Sequence, residues 1–168
     1  ADYSHDLDGM ASAIDSDTRL VYICNPNNPT GSITDAESLK KFCTETSSKV
    51  PVFVDEAYLE FTKQQSLSNI VNDHKNIIIV KTFSKIYGLA AERIGWCYGQ
   101  PGLIATLNRV RAPFNVTAAG QAAAIAALGD TDFVTRSRQH NAEWRDWMAA
   151  ECAALSNHGV KVIPSWAN

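Results

Sequence analysis

Cysteines are few and far apart. Cys24, Cys43, Cys97 and Cys152 are separated by 19, 54 and 55 positions. That spacing excludes a C-x-x-C redox pair and the cysteine-rich zinc patterns, so no metal site is expected. Three of the four stand in apolar surroundings and read as reduced core residues. Basic clusters are equally scarce. No run of Lys or Arg exceeds the Lys40-Lys41 pair, and 15 Lys+Arg against 18 Asp+Glu leave a formal net charge of −3. No nucleic-acid partner held by charge is expected on that balance. Long apolar runs are missing as well. The longest stretch without a charge, 112–129, has 18 residues, is mostly Ala, and contains Pro113, Asn115, Thr117 and Gln121. A small-residue helix packed inside a protein explains it better than a lipid span, so no membrane partner is expected. The opening residues do not read as a signal peptide, and a cytoplasmic setting is the expectation. Internal repeats, low-complexity tracts and flexible linkers do not occur.

What remains is an ordinary globular composition over 168 residues, with 45% apolar and 20% charged residues. A chain of this length buries roughly 70% of the surface that its unfolded form exposes, enough for a real core. The apolar fraction is too high and the net charge too low for intrinsic disorder. The chain begins at Ala1 without Met and stops at Asn168, just after a strand-like run and the turn-like Pro164-Ser165. It is expected to be an internal portion of a longer protein.

The patterning predicts alternating helices and strands. Leu7, Met10, Ala11 and Ile14 have helical spacing. Leu20 to Cys24 is a short β-branched apolar run that ends at Asn25-Pro26 and predicts a buried strand. Asn25 to Gly31, N-P-N-N-P-T-G, is dense in turn formers and predicts a loop. Thr34 and Glu37 have the spacing of a capping box ahead of a helix striped by Leu39, Phe42 and Cys43. Further strands are expected at Val52 to Val54, Ile77 to Val80, Ile94 to Tyr98 and Val160 to Ile163. Helices are expected from Pro101 through Arg111, over Ala118 to Leu128, and from a cap at Thr131 to about Leu155. The last carries Trp144, Trp147, Met148 and Cys152 on one side, expected to be core or domain-interface packing. Short all-apolar strands alternating with helices indicate an α/β fold whose sheet is covered on both faces.

Three polar clusters follow strand ends, where α/β sheets place their ligand crevice. They are Asn25 to Gly31, Asp55-Glu-Ala-Tyr58, and Thr82-Phe-Ser84-Lys85-Ile-Tyr87-Gly-Leu-Ala-Ala-Glu-Arg93-Ile-Gly95. In the third, two hydroxyls and a guanidinium can hold a phosphate dianion. Lys85 beside them is either a further anion contact or an amine nucleophile. Each cluster alone also fits a turn or a solvated surface loop. Glu56 fits a strand-end ion pair, and His5, His74, His140 and His158 are scattered and read as surface residues.

Taken in this order, N-P-N-N-P-T-G, V-D-E-A-Y and T-F-S-K-x-Y-G-L-A-x-x-R-x-G resemble the core signature of the fold type I pyridoxal-phosphate aminotransferases. Asp55 to Phe61 and Arg111 to Leu128 are most similar to the histidinol-phosphate aminotransferase group. Pro164-Ser165-Trp166-Ala167-Asn168 resembles that group's P-S-x-x-N stretch. The resemblance implies a three-layer sandwich with a mostly parallel sheet, incomplete in this chain. Residues 1–130 would be part of the large, cofactor-binding domain, and 131–168 the long connecting helix and the start of the small C-terminal domain.

It also implies pyridoxal 5'-phosphate as cofactor and a set of roles. Lys85 is the catalytic amine that condenses with the cofactor's aldehyde and later moves a proton. Asp55 pairs with the pyridinium nitrogen, Asn28 and Tyr58 hold the ring's 3-oxygen, Thr82, Ser84 and Arg93 bind the phosphate, and Ala57 packs on a ring face. The implied reaction is amino transfer between an amino acid or amino-alcohol phosphate and a 2-oxo acid, of the histidinol-phosphate:2-oxoglutarate type in histidine biosynthesis. The implied assembly is a homodimer, and the isolated piece is expected to be inactive. One departure, Ala91-Glu92 ahead of Arg93 where a small or apolar pair is usual, leaves the substrate open. Two other readings stay open: a decarboxylase or lyase acting on a phosphorylated amino acid, and a non-catalytic ligand-sensing domain of the same fold.

Overall fold

The computed structural model describes residues 3–167. A four-stranded sheet forms its centre, in the order β1 (Val21–Cys24), β2 (Val52–Asp55), β3 (Ile77–Thr82), β4 (Gly95–Gly99). The first three strands run parallel and β4 returns antiparallel to β3. The mostly parallel α/β sheet expected from the alternation is therefore present. The β-branched runs explain it: Val52 and Val54 of β2 align with Val21 and Ile23 on one side and Ile77 and Ile79 on the other. These side chains share one pleat face. All six belong to the main core cluster, and Ile23, Val52, Val54, Ile77 and Ile79 are fully buried.

Two helices lie over that face. In α1 (Leu7–Ser12), Leu7 and Met10 pack against the cluster. In α2 (Ala36–Ser47), Leu39, Phe42 and Cys43 form the predicted apolar stripe and are buried in it. Each such side chain contributes about 1.5–3 kcal/mol of hydrophobic stabilisation, so this face dominates the fold. Coverage of the other face is partial. Ile78 is buried beneath Ile104 of α3 (Pro101–Asn108), whereas Tyr22 is 52% exposed. The expectation of cover on both faces is met on one.

A second, smaller cluster joins Phe83 and Ile94 to Ala124 of α4 (Ala118–Gly129). Close approach there depends on Gly120, because a Cβ at that position would lie 2.6 Å from Ile94 Cδ1. The long α5 (Thr131–Ala154) follows directly. No helix among the described residues is long and apolar enough to cross a membrane.

Several local expectations are corrected. The cap of α2 is Asp35, whose carboxylate accepts from Ser38 N, not the Thr34–Glu37 box. Thr34 is already committed: its N–H donates to Asn25 Oδ1 and its hydroxyl pairs with His5 Nδ1. Asp130, not Thr131, caps α5 by accepting from Phe133 N. α1 stops at Ser12 and α3 at Asn108, short of Ile14 and Arg111. The run Val160 to Ile163 is not a strand, because no strand among the described residues lies beside it to complete a ladder. It runs past α5 instead, lining with Trp144, Met148 and Cys152 a cavity of about 600 Å³. Trp144, Trp147 and Met148 are exposed among the described residues, so they are not core. Of the cysteines only Cys43 is buried, Cys24 and Cys152 are half-buried, and Cys97 is exposed on β4. Asn168, the end of the P-S-x-x-N stretch, lies outside the described residues.

Candidate active site

The three polar clusters leave the carboxyl ends of β1, β2 and β3, which parallel pairing places side by side. Asn25 N donates to Asp55 O and Glu56 N to Val80 O, both at 2.9 Å, so the ladder continues into the loops. The loop after β1 contains cis Asn25-Pro26 and Asn28-Pro29 peptides. Its Gly31 has φ +65°, a conformation that glycine adopts without steric cost.

Asp55 is the last residue of β2, half-buried and aligned with Cys24 and Val80. Its Oδ1 accepts from Ala57 N at 2.9 Å and its Oδ2 from the Tyr22 hydroxyl. Burial first, then the hydrogen bond and charge of Asp55, push the Tyr22 phenol well above its ordinary pKa. Cys24 is pushed up too, by burial above all, with the Asp55 charge adding to it.

Three residues on, the Tyr58 hydroxyl accepts from Asn28 Nδ2 at 2.6 Å, which joins the first two clusters. Lys85 Nζ stands 5.2 Å from the centroid of the Tyr58 ring, which joins the third. Lys85 is exposed, but its loop is pinned. Phe83 and Ile86 on either side of it are buried. Phe83 N donates to Ile94 O, Leu89 N to Phe83 O and Gly88 N to Lys85 O, at 2.9–3.0 Å. Thr82 Oγ1 accepts from Ser84 N at 3.0 Å and donates to Ile94 O, which sets both hydroxyl residues beside the chain of Arg93. Arg93 is left-handed (φ 53°), exposed, and gives one N–H to Ala90 O at 2.8 Å. Its other guanidinium N–H groups remain available to an anion.

Tyr58 thus meets both Asn28, through its hydroxyl, and Lys85, over its ring; Asp55 and Ala57 are bonded within the same turn, and Thr82, Ser84 and Arg93 border the same loop. Two features went unnoticed in the sequence. Tyr22 is one; it precedes by two residues the partner of Asp55 on β1, so it lies on the same pleat face. The other is an ion cluster behind the site. Lys81 Nζ lies 2.6 Å from Glu60 Oε1 and 3.3 Å from Glu56 Oε2, the latter without hydrogen-bond geometry. Glu56 Oε1 accepts from Leu67 N, and Arg138 Nε of α5 donates to Glu60 O at 2.6 Å. Burial opposes the Lys81 charge, but Glu60 and Glu56 outweigh it and hold the ammonium above its usual range. The expected strand-end ion pair of Glu56 is present. Of the scattered histidines, His5 is half-buried on Thr34, and burial lowers its pKa.

A family model described as aminotransferase class I and II matches residues 1–168. A histidinol-phosphate aminotransferase of Sphingopyxis alaskensis is 48% identical over 170 residues, covering 99% of this chain and 46% of that protein. One of Zymomonas mobilis is 45% identical, again over 99% of this chain and 46% of its own length. The solved histidinol-phosphate aminotransferase of Sinorhizobium meliloti, in complex with pyridoxal-5'-phosphate, matches with a TM-score of 0.91 and 34% identity. That match covers 100% of this chain and 46% of the other. The chain spans about half the length of the curated relatives it matches.

Proposed function

The chain belongs to the class I and II aminotransferases, with the fold type I sheet of that family, and from that premise we propose that it is the cofactor-holding part of a histidinol-phosphate aminotransferase using pyridoxal 5'-phosphate. The proposed reaction moves an amino group between an amino-alcohol phosphate and a 2-oxo acid, as a step of histidine biosynthesis. The observation that carries the reading is the meeting of Lys85 with Tyr58, which Asn28 holds three residues from Asp55.

The donor set suits the cofactor. A pyridinium N–H needs an ionised acceptor, and Asp55 keeps lone pairs beside the two donors it already accepts. A phenolate-like ring oxygen needs donors, and the Tyr58 hydroxyl and Asn28 amide stand together. A phosphate needs hydroxyls and a guanidinium, which Thr82, Ser84 and Arg93 provide. When bound, pyridoxal phosphate supplies an electron sink for the bonds at the substrate's amine-bearing carbon. The protein's own part is to hold and orient. Lys85 Nζ is the one amine on these loops placed against the site's aromatic ring, and it holds and returns a proton there. The Ala57 side chain is small enough to leave a ring face open.

The same reading assigns 1–130 to the large domain and 131–168 to the connecting helix and the start of the small domain. It also takes the intact protein to be a cytoplasmic homodimer acting on small-molecule amino acids and 2-oxo acids. Incubating the intact protein with histidinol phosphate, 2-oxoglutarate and pyridoxal phosphate tests it. Glutamate should form in step with the oxo product. Release of carbon dioxide, or no turnover of either substrate, would overturn the assignment.

A further inference from the structure

Asp55 is held from two directions by groups of different origin. The Ala57 N–H comes from its own turn and reaches Oδ1 at 2.9 Å. The Tyr22 hydroxyl comes from the neighbouring strand and reaches Oδ2. Parallel register makes this possible: Tyr22 aligns with Phe53 and Cys24 with Asp55, so Tyr22 lies diagonally across from Asp55 on the same pleat face. Diagonal neighbours of this kind are about 7–8 Å apart at Cα, within reach of aromatic and long side chains.

Tyr22 meets the site through its hydroxyl. On β1 the alternate positions, Val21 and Ile23, point to the opposite face of the sheet and are buried aliphatic residues. Tyr22 instead stays half exposed, so an apolar ring gains little there beyond what the strand already provides. Its phenol, shifted well above the ordinary range, remains a donor throughout the neutral region. The other polar neighbour of the carboxylate, the Cys24 thiol, is turned to Pro26 O at 3.4 Å. With one donor on each oxygen, rotation of the carboxylate about its Cβ–Cγ bond is blocked. A carboxylate that must meet an aromatic N–H in the plane of a bound ring benefits from that restriction, because no orientational freedom is lost on binding.

We propose that Tyr22 is a positioning residue of the cofactor site, fixing through its hydroxyl the plane in which the Asp55 carboxylate meets the pyridinium nitrogen. The proposal rests on the reading that pyridoxal phosphate binds at Asp55. A purely structural role, as a cross-strand tie in the sheet, predicts a different response.

The test is a double-mutant cycle on the affinity of the cofactor-free intact protein for pyridoxal phosphate, followed by absorbance titration. Tyr22→Phe keeps the ring and removes only the donor. In the Asp55 protein it should weaken binding about tenfold, the size of one hydrogen bond to a charged group. In the Asp55→Ala background it should weaken binding less than about twofold, because nothing is left to orient. Thermal unfolding of the cofactor-free forms should be nearly the same with and without the hydroxyl. If Asp55→Ala does not fold, Asp55→Asn serves as the second background, with a correspondingly reduced effect. Unchanged affinity in the Tyr22→Phe protein, or an equal loss in both backgrounds, overturns the positioning role alone. Failure of the unsubstituted protein to bind pyridoxal phosphate overturns the proposed function and this inference with it.

Discussion

Lys81 shows how one residue beside the site ties stability to pH. Its side chain is 12% exposed, and its ammonium sits between Glu60 at 2.6 Å and Glu56 at 3.3 Å. Removing it leaves the Glu56 carboxylate, itself 2% exposed, as an unpaired buried charge. Lys81→Met should therefore destabilise the protein by about 3 kcal/mol in urea unfolding; a loss within experimental error would show that the cluster is solvated. The folded pKa of Lys81 lies above its ordinary 10.5, so the group binds its proton more tightly when folded. Its contribution is then complete below pH 10.5 and is lost as pH rises through the higher folded value. The urea midpoint of the wild type should fall toward that of Lys81→Met only above about pH 10.5. Convergence already at neutral pH would contradict the pairing. The residues proposed to meet the cofactor were legible through three motifs that in their order resemble a known family; their place after β-branched runs, Asp55 after Val-Phe-Val and Lys85 just past Ile-Ile-Ile-Val, marked only the strand ends. Tyr22 and the choice of Lys81 as the ion partner of Glu56 and Glu60 were not, because such partners lie 21 to 33 positions apart and nothing local marks the pairs.

Among the elements, the loop after β1 has two tasks. Its Asn28 reaches Tyr58, and its Gly31 receives the C-terminal segment, with Trp166 N donating to Gly31 O at 2.9 Å. A Cβ on Gly31 would lie 2.1 Å from Ser165 Oγ and 2.7 Å from Ser165 Cβ, and φ is positive there. Gly31→Ala should therefore cost about 1–2 kcal/mol from the backbone alone, and more from the clash. It should also speed proteolysis beyond residue 160. Stability and cleavage equal to wild type would show that the segment is not docked on this loop. Helices and buried strands were readable from periodicity, since burial on one face sets the pattern. Their ends were read less well. At α2 both Thr34 and Asp35 are capable caps, and only the commitment of Thr34 to Asn25 and His5 decides between them. The run Val160 to Ile163 has strand composition, but a strand also needs a neighbour, which composition does not report.

For the molecule as a whole, the sheet separates packing from chemistry. One face carries the aliphatic core under α1 and α2, while the carboxyl ends of the parallel strands carry every residue assigned to the cofactor. The relatives are about twice as long, and Tyr22, Trp144, Trp147 and Met148 stay exposed on the half seen here. α5 begins its course beside the site, through the Arg138 bond to the Glu60 carbonyl, two residues beyond Tyr58. The central claim is that Lys85 is the amine that meets the cofactor. Reducing the intact protein with borohydride in the presence of pyridoxal phosphate, then mapping the modified residue by mass spectrometry, tests it directly. The label should sit on Lys85 and disappear in Lys85→Ala; a label on another lysine, or none at all, would contradict the account.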